Sequence, residues 1–270
     1  MTKFREQTVI PQIVHPKING EVLYPFGPPV YRTELDTKIV DMLIAEGQRT
    51  REQKDLDHRL KLAGNMKSGT SVLFPAGPDK DVRNRADQAI VQKVFEFFEI
   101  LQSQYGKDWP NIEKMMLGNS GGMGALRLQQ LWINFQQAGD YNPLHDHGGL
   151  FSFVIFGDID EKIFTEDVPP TNTNIAGKLI FHYGEQITKL QSNSFSVEPY
   201  KGLMYVFPAA LQHTVPPYFK EFERISISGN YVLEQNQPQS KLNPVKLNLE
   251  LEDDKVAQMM MNPNTDQNNI

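Results

Sequence analysis

The chain has 270 residues, 39% of them hydrophobic, so it is long enough to bury a real core and too apolar for a disordered tail. Lys and Arg number 27 against 33 Asp and Glu, a net charge of −6 that repels phosphate backbones and argues against nucleic acid as a partner. Without any cysteine there are no disulfides, thiolate nucleophiles, iron–sulfur clusters or cysteine zinc sites, and any metal must sit on His, Asp or Glu. The apolar stretches around Phe151 to Phe156 and Leu203 to Leu211 are far shorter than the ~20 residues of a membrane-spanning helix. MTKFREQTVI carries charges where a secretion signal needs an apolar core, so the expected location is the cytoplasm.

Residues 1–33 hold Pro11, Pro16, Pro25, Pro28 and Pro29, which interrupt helices and ladders alike, and this segment is expected to be an extended lead-in that pairs at a sheet edge. From Glu34, the positions Leu35, Ile39, Met42 and Leu43 recur at helical spacing, with Gly47 as the expected stop. A second helix is predicted from Asp79 to Tyr105, where Ile90, Val94, Phe97, Phe98, Leu101 and Tyr105 form one stripe to pack on a sheet.

Past Trp109-Pro110 and the GNSGGMGA turn, Gly118 to Ala125, the apolar period changes from 3.6 to 2. Strands are predicted at Arg127 to Phe135, Leu150 to Ile159, Gly177 to Tyr183, Ser194 to Pro199, Gly202 to Pro208 and Arg224 to Leu233. Helices first and short strands afterwards give an α+β fold, a sandwich or jelly roll with the N-terminal helices on one sheet. Residues 34–233 then form the main domain and 234–270 a C-terminal extension. In that extension Val245, Leu247, Leu249 and Leu251 suit one edge strand, and the amide-rich end from Gln258 to Ile270 suits an interaction tail.

Six histidines are present, and His145 and His147 sit two apart, a spacing that in extended chain turns both imidazoles to one face and Asp146 away. A later histidine, His213, stands near the mouth of another strand and can join them if the sheets close on one another. His15, His58 and His182 are read as ordinary hydrogen-bonded side chains. Alternation in RISIS puts Arg224, Ser226 and Ser228 on one strand face and Ile225 and Ile227 on the other. A buried arginine needs an anion, and its planar fork matches a carboxylate.

In order and spacing, LWINFQQAGDYNPLHDHGGLFSFVIF from Leu131, LMYVFPAALQHTVPPY from Leu203, ERISISGNY from Glu223 and, more weakly, HRLKLAGN from His58 resemble the iron(II)/2-oxoglutarate-dependent oxygenases. Within that superfamily they are similar to the prolyl-hydroxylase-like group of bacteria and marine cyanobacterial phages. The match covers roughly residues 126–233 and leaves the N-terminal third and the tail aside. The resemblance implies a double-stranded β-helix core, Fe(II) as cofactor and 2-oxoglutarate as co-substrate. His145 would be the first iron ligand and His213 the distal one. Arg224 would hold the far carboxylate of 2-oxoglutarate, beside Ser226, with Asn134 lining the same pocket. The chain departs from the family at one place: the carboxylate two residues after the first histidine is replaced by His147, which is taken as the second ligand with Asp146 in reserve. Trp132, Phe151 and Phe153 are read as core more than as pocket wall.

The activity so implied is hydroxylation of a small-molecule or peptidyl substrate, coupled to decarboxylation of 2-oxoglutarate. The absence of Gly-Lys-Ser or Gly-Lys-Thr after GNSGGMGA, of GxGxxG and of GxSxG argues against nucleotide binding and hydrolase chemistry. Two other readings stand beside the oxygenase. One is a jelly-roll structural protein of a phage particle, assembling as a homo-oligomer or into a virion through its tail, with a relic or structural metal. The other is a cupin-like metalloenzyme with three histidines and no 2-oxoglutarate, in which Arg224 has no role.

Overall fold

The computed structural model describes residues 20–23, 27–78, 80–108, 125–160, 174–185 and 192–234. Pro11, Pro16, Pro25, Asp79, the Gly118–Gly124 turn, the Val245 to Leu251 alternation and the tail from Gln258 lie outside these residues.

Short strands β1 (Glu21–Leu23) and β2 (Val30–Glu34) open the chain, and β1 forms the edge of a large sheet as the prolines around it require. Helix α1 (Thr37–Thr50) starts at Asp36, whose carboxylate accepts from the Lys38 amide at 2.9 Å. Its apolar side, Val40, Leu43 and Ile44, is buried. The helix does not stop at Gly47 but runs one turn beyond it. Gly47 is there for proximity: a Cβ at this position would stand 2.7 Å from Ile133 Cγ2 and 3.1 Å from the Phe135 ring. Ile133 is stiff at χ1, so Gly47→Ala is expected to destabilise the fold by about 1–3 kcal/mol in urea unfolding, despite alanine's better helix propensity.

Strand β3 (Thr70–Leu73) precedes α2 (Asp81–Tyr105), in which Ile90, Val94, Phe97, Phe98 and Leu101 are buried as the stripe predicts. Two polar ties fix α2 to the sheet. Buried Arg83 donates to the carbonyls of Phe74 at 2.7 Å and Leu128 at 2.9 Å, and Asp87 accepts from Tyr231 Oη at 2.6 Å.

The remaining strands are β4 (Ala125–Gln136), β5 (Asn142–His145), β6 (Phe151–Phe156), β7 (Leu179–His182), β8 (Ser194–Val197), β9 (Leu203–Pro208), β10 (His213–Val215) and β11 (Arg224–Glu234). They build a seven-stranded sheet ordered β1-β2-β9-β6-β11-β4-β3 and a four-stranded sheet ordered β5-β10-β7-β8, every described pairing being antiparallel. The architecture is α+β, a jelly-roll core whose large sheet carries the helices on its outer face.

Period-2 alternation separates two cores. On the helix side lie Ile133 and Phe135 of β4, Ile155 of β6, Met204 and Val206 of β9, and Ile225 and Ile227 of β11. Between the sheets lie Val154 and Phe156 of β6 and Leu203, Tyr205 and Phe207 of β9, against Leu179 and Phe181 of β7 and Val215 of β10. Burying each such side chain contributes about 1.5–3 kcal/mol, and toward β4 and β11 the inter-sheet layer turns polar at a stability cost. There a cavity opens.

Candidate metal and co-substrate site

The small sheet brings the histidines together. His145 ends β5 and His213 begins β10, and the two residues are direct cross-strand partners. His147 follows β5, its backbone amide fixed on the Ala209 carbonyl at 2.9 Å. Gly149, at φ +113°, then turns the chain into β6, where a Cβ would meet the Tyr231 carbonyl at 2.8 Å. One ligand nitrogen from each of the three imidazoles lies within 4.8 Å of the others, with ring centroids 4.3 to 5.0 Å apart.

Tautomers follow from the partners. His145 Nδ1 donates to the Pro143 carbonyl at 2.7 Å and His213 Nδ1 to the Leu211 carbonyl at 2.9 Å, which leaves each Nε2 lone pair free to bind a cation. Burial, reinforced by the neighbouring His145, pushes His147 down to about 4 and His213 down to about 3. Both rings are therefore neutral near pH 7, the state in which imidazole binds metal. Asp146, which like His147 lies beyond the end of β5, is solvent-exposed and belongs to no such cluster among the described residues.

Arg224 opens β11 and lines the same cavity, 2% exposed. Its Nε donates to the Gly177 carbonyl at 3.0 Å, and one terminal nitrogen donates to Gln136 Oε1 and, at 3.4 Å, to Ser226 Oγ. All three acceptors are neutral. No described carboxylate pairs with it, and burial lowers its pKa to about 10. Ser226 and Asn134 are cross-strand partners that line the cavity, and Asn134 Oδ1 accepts from Ser71 Oγ at 2.8 Å.

The cavity, about 270 Å³, thus runs between three imidazoles and one guanidinium without a carboxylate partner among the described residues. The donor set fits a first-row metal such as iron(II), since three nitrogens on one side leave coordination positions open for a chelating acid. The guanidinium fits the acid's far end.

Three participants are not legible as such in the sequence. Gln136, which holds Arg224, continues the alternation Trp132, Asn134, Gln136 on β4, and that alternation is the signal for it. Trp132, read as core, is wall: its indole stands 5.9 Å from the His147 ring, while Phe151 stays in the helix-side core. His58, read as an ordinary hydrogen-bonded histidine, lines the cavity and packs tilted against Trp132 at 5.3 Å. Phe153 belongs to core and wall together.

The jelly roll thus places a histidine cluster that could hold a metal ion and a buried arginine in one pocket. Residues 130–230 match a family model described as "Putative 2OG-Fe(II) oxygenase", and this stretch contains His145, His147, His213 and Arg224. Among solved structures, the chain is similar to a Pseudomonas putida prolyl-4-hydroxylase, with 15% identity and a TM-score of 0.44 over 76% of this chain and 93% of that one. It is also similar to AviO1 from Streptomyces viridochromogenes, with 13% identity and a TM-score of 0.46 over 79% and 93%. A third likeness is to HygX from Streptomyces hygroscopicus, a structure with nickel and 2-oxoglutarate bound, with 11% identity and a TM-score of 0.42 over 82% and 89%. No curated protein matches the sequence. Among the described residues no helix is long and apolar enough to cross a membrane.

Proposed function

We propose that the protein is an iron(II)- and 2-oxoglutarate-dependent hydroxylase in which His145, His147 and His213 hold the metal and Arg224 holds the far carboxylate of 2-oxoglutarate. The observation that supports this above all is the buried guanidinium of Arg224, surrounded by neutral acceptors and facing a cavity that ends in three imidazoles. Iron(II), when bound with 2-oxoglutarate and dioxygen, supplies the oxidising chemistry that hydroxylates an unactivated C–H bond. The chain's own part is geometry. Pro143 and Leu211 carbonyls orient two imidazoles, Gln136 and Gly177 aim Arg224, and the apolar residues of β6, β7 and β9 close the base of the cavity to water. The substrate is a small molecule or a peptidyl side chain.

Iron content of protein purified without air, followed by succinate formation from 2-oxoglutarate, tests this reading together with the choice of middle ligand. Asp146→Ala should keep both stoichiometric iron and succinate formation. His147→Ala should lose iron affinity by about a hundredfold or more, beyond the 10–100-fold cost of losing a group that only orients a ligand. The opposite ranking would make Asp146 the ligand, and a parent protein without iron-dependent succinate formation would overturn the function.

A further inference from the structure

Away from Arg224, the cavity wall holds hydrogen-bonding groups with nothing to bond. The β4–β11 register sets Arg224 against Gln136, Ser226 against Asn134, Ser228 against Trp132 and Asn230 against Gln130, so the wall extends along the strands from the co-substrate end to a second region centred on Trp132. The indole stands 5.9 Å from the His147 ring and 5.3 Å from the His58 ring, centre to centre, both pairs tilted.

His58 is 2% exposed, yet neither of its ring nitrogens has a hydrogen-bond partner among the described residues. Gln130 accepts at 3.5 Å from Asn230 Nδ2, and among the described residues neither its side-chain NH2 nor Ser228 Oγ has a hydrogen-bond partner. A buried imidazole, an amide and a hydroxyl without partners would each cost stability in a closed core, and all three line the cavity. Lys61 lines it too, at the exposed rim, and forms no ion pair among the described residues. Its charge reaches His58, whose pKa is lowered first by burial and next by Lys61. The one carboxylate on the cavity wall is the exposed Asp146. Hydrogen-bond donors and positive charge are thus in surplus, and the ligand that matches them brings acceptors and negative charge. The cavity, at about 270 Å³, is at or below the small end of the range for ligand pockets, about 300–1,000 Å³.

Resting on the oxygenase reading above, we propose that His58, Lys61, Gln130, Trp132 and Ser228 form the substrate subsite, and that it takes a small carboxylate-bearing molecule, its acid group toward Lys61 and Gln130 and its body against Trp132 beside His147. The arginine end serves 2-oxoglutarate, and the lysine end serves the molecule to be hydroxylated.

Benzoate and benzamide, equal in shape and different in charge, are the probes. Full-length protein loaded with redox-inert zinc and saturated with 2-oxoglutarate is titrated with each, and binding of both probes and of 2-oxoglutarate is followed by ligand-observed NMR. Benzoate should bind about fivefold or more tightly than benzamide, the upper end of what an exposed lysine pair contributes, without displacing 2-oxoglutarate. Lys61→Met should abolish the preference and Lys61→Arg should keep it, while His58→Ala should weaken both probes. Equal affinities, a preference for benzamide, absence of binding, displacement of 2-oxoglutarate, or a preference that survives Lys61→Met would each overturn the subsite. Because 2-oxoglutarate is observed in the same tube, its failure to bind would instead count against the oxygenase reading.

Discussion

Arg224→Ala should weaken 2-oxoglutarate binding about thirtyfold or more while metal binding survives. The size follows from truncating one partner of a charged, hydrogen-bonded pair in a largely dry pocket, which costs about 2–5 kcal/mol. Lysine should rescue only in part, since it keeps the charge and loses the fork that reaches Gln136, Gly177 and Ser226 together. Stability supplies a second readout with the opposite sign. In the free protein Arg224 is a buried cation without a carboxylate, so Arg224→Met, which keeps the bulk and removes the charge, should leave the melting temperature unchanged or higher. The parent should gain about 2.7 kcal/mol from 2-oxoglutarate at a hundred times its Kd, and the methionine variant should gain almost nothing. Calorimetry on iron-loaded protein under nitrogen measures affinity, and thermal unfolding with and without 2-oxoglutarate measures the rest. Unchanged affinity in the alanine variant would remove Arg224 from the co-substrate site.

His213→Ala should abolish stoichiometric metal. His213 is the most buried of the three imidazoles, its Nδ1 is already committed to Leu211, and it sits against Phe207 at 5.0 Å and Phe181 at 6.2 Å. With the ring gone, two half-exposed histidines are left, and their affinity for iron(II) should fall by about two orders of magnitude or more. The lost packing will cost some stability, so circular dichroism must show that the variant is folded before its metal is counted. A folded variant that binds iron as tightly as the parent in anaerobic titration would refute the assignment.

The parts of this protein that were readable in the sequence are those whose pattern is set by burial on two sides. β11 is legible because Ile225 and Ile227 pack under the helices while Arg224, Ser226 and Ser228 turn to the cavity, and the RISIS alternation records both facts. The stripe of α2 is legible for the same reason. Strands β3, β5 and β10 are not, since they lack the apolar run and bounding turn residues that mark β7 at equal length, and the partner strand creates the conformation. β5 even contains Pro143, tolerated because β5 is the edge of its sheet. Gly47 carries a turn signal that tertiary contact overrides. His58 was hidden because its role depends on a ring from β4, brought to it by the bridge of Asp57 to Val72 and not by any local spacing.

The pairings that close the pocket join parts of the chain far apart in sequence. Gln136 meets Arg224 across 88 residues, and His145 meets His213 only when β10 has come back to β5. A growing chain that has left the ribosome as far as β6 presents His145 and His147 with no third ligand, and it has no cationic end for an organic acid. Since long-range ladders form last and slowly, metal capture follows the final pairing instead of guiding it. Two of the three proposed ligands arrive on one short piece of chain, and the last would lock the set. On that assignment the partly made protein would be kept from holding redox-active iron before there are walls to contain it.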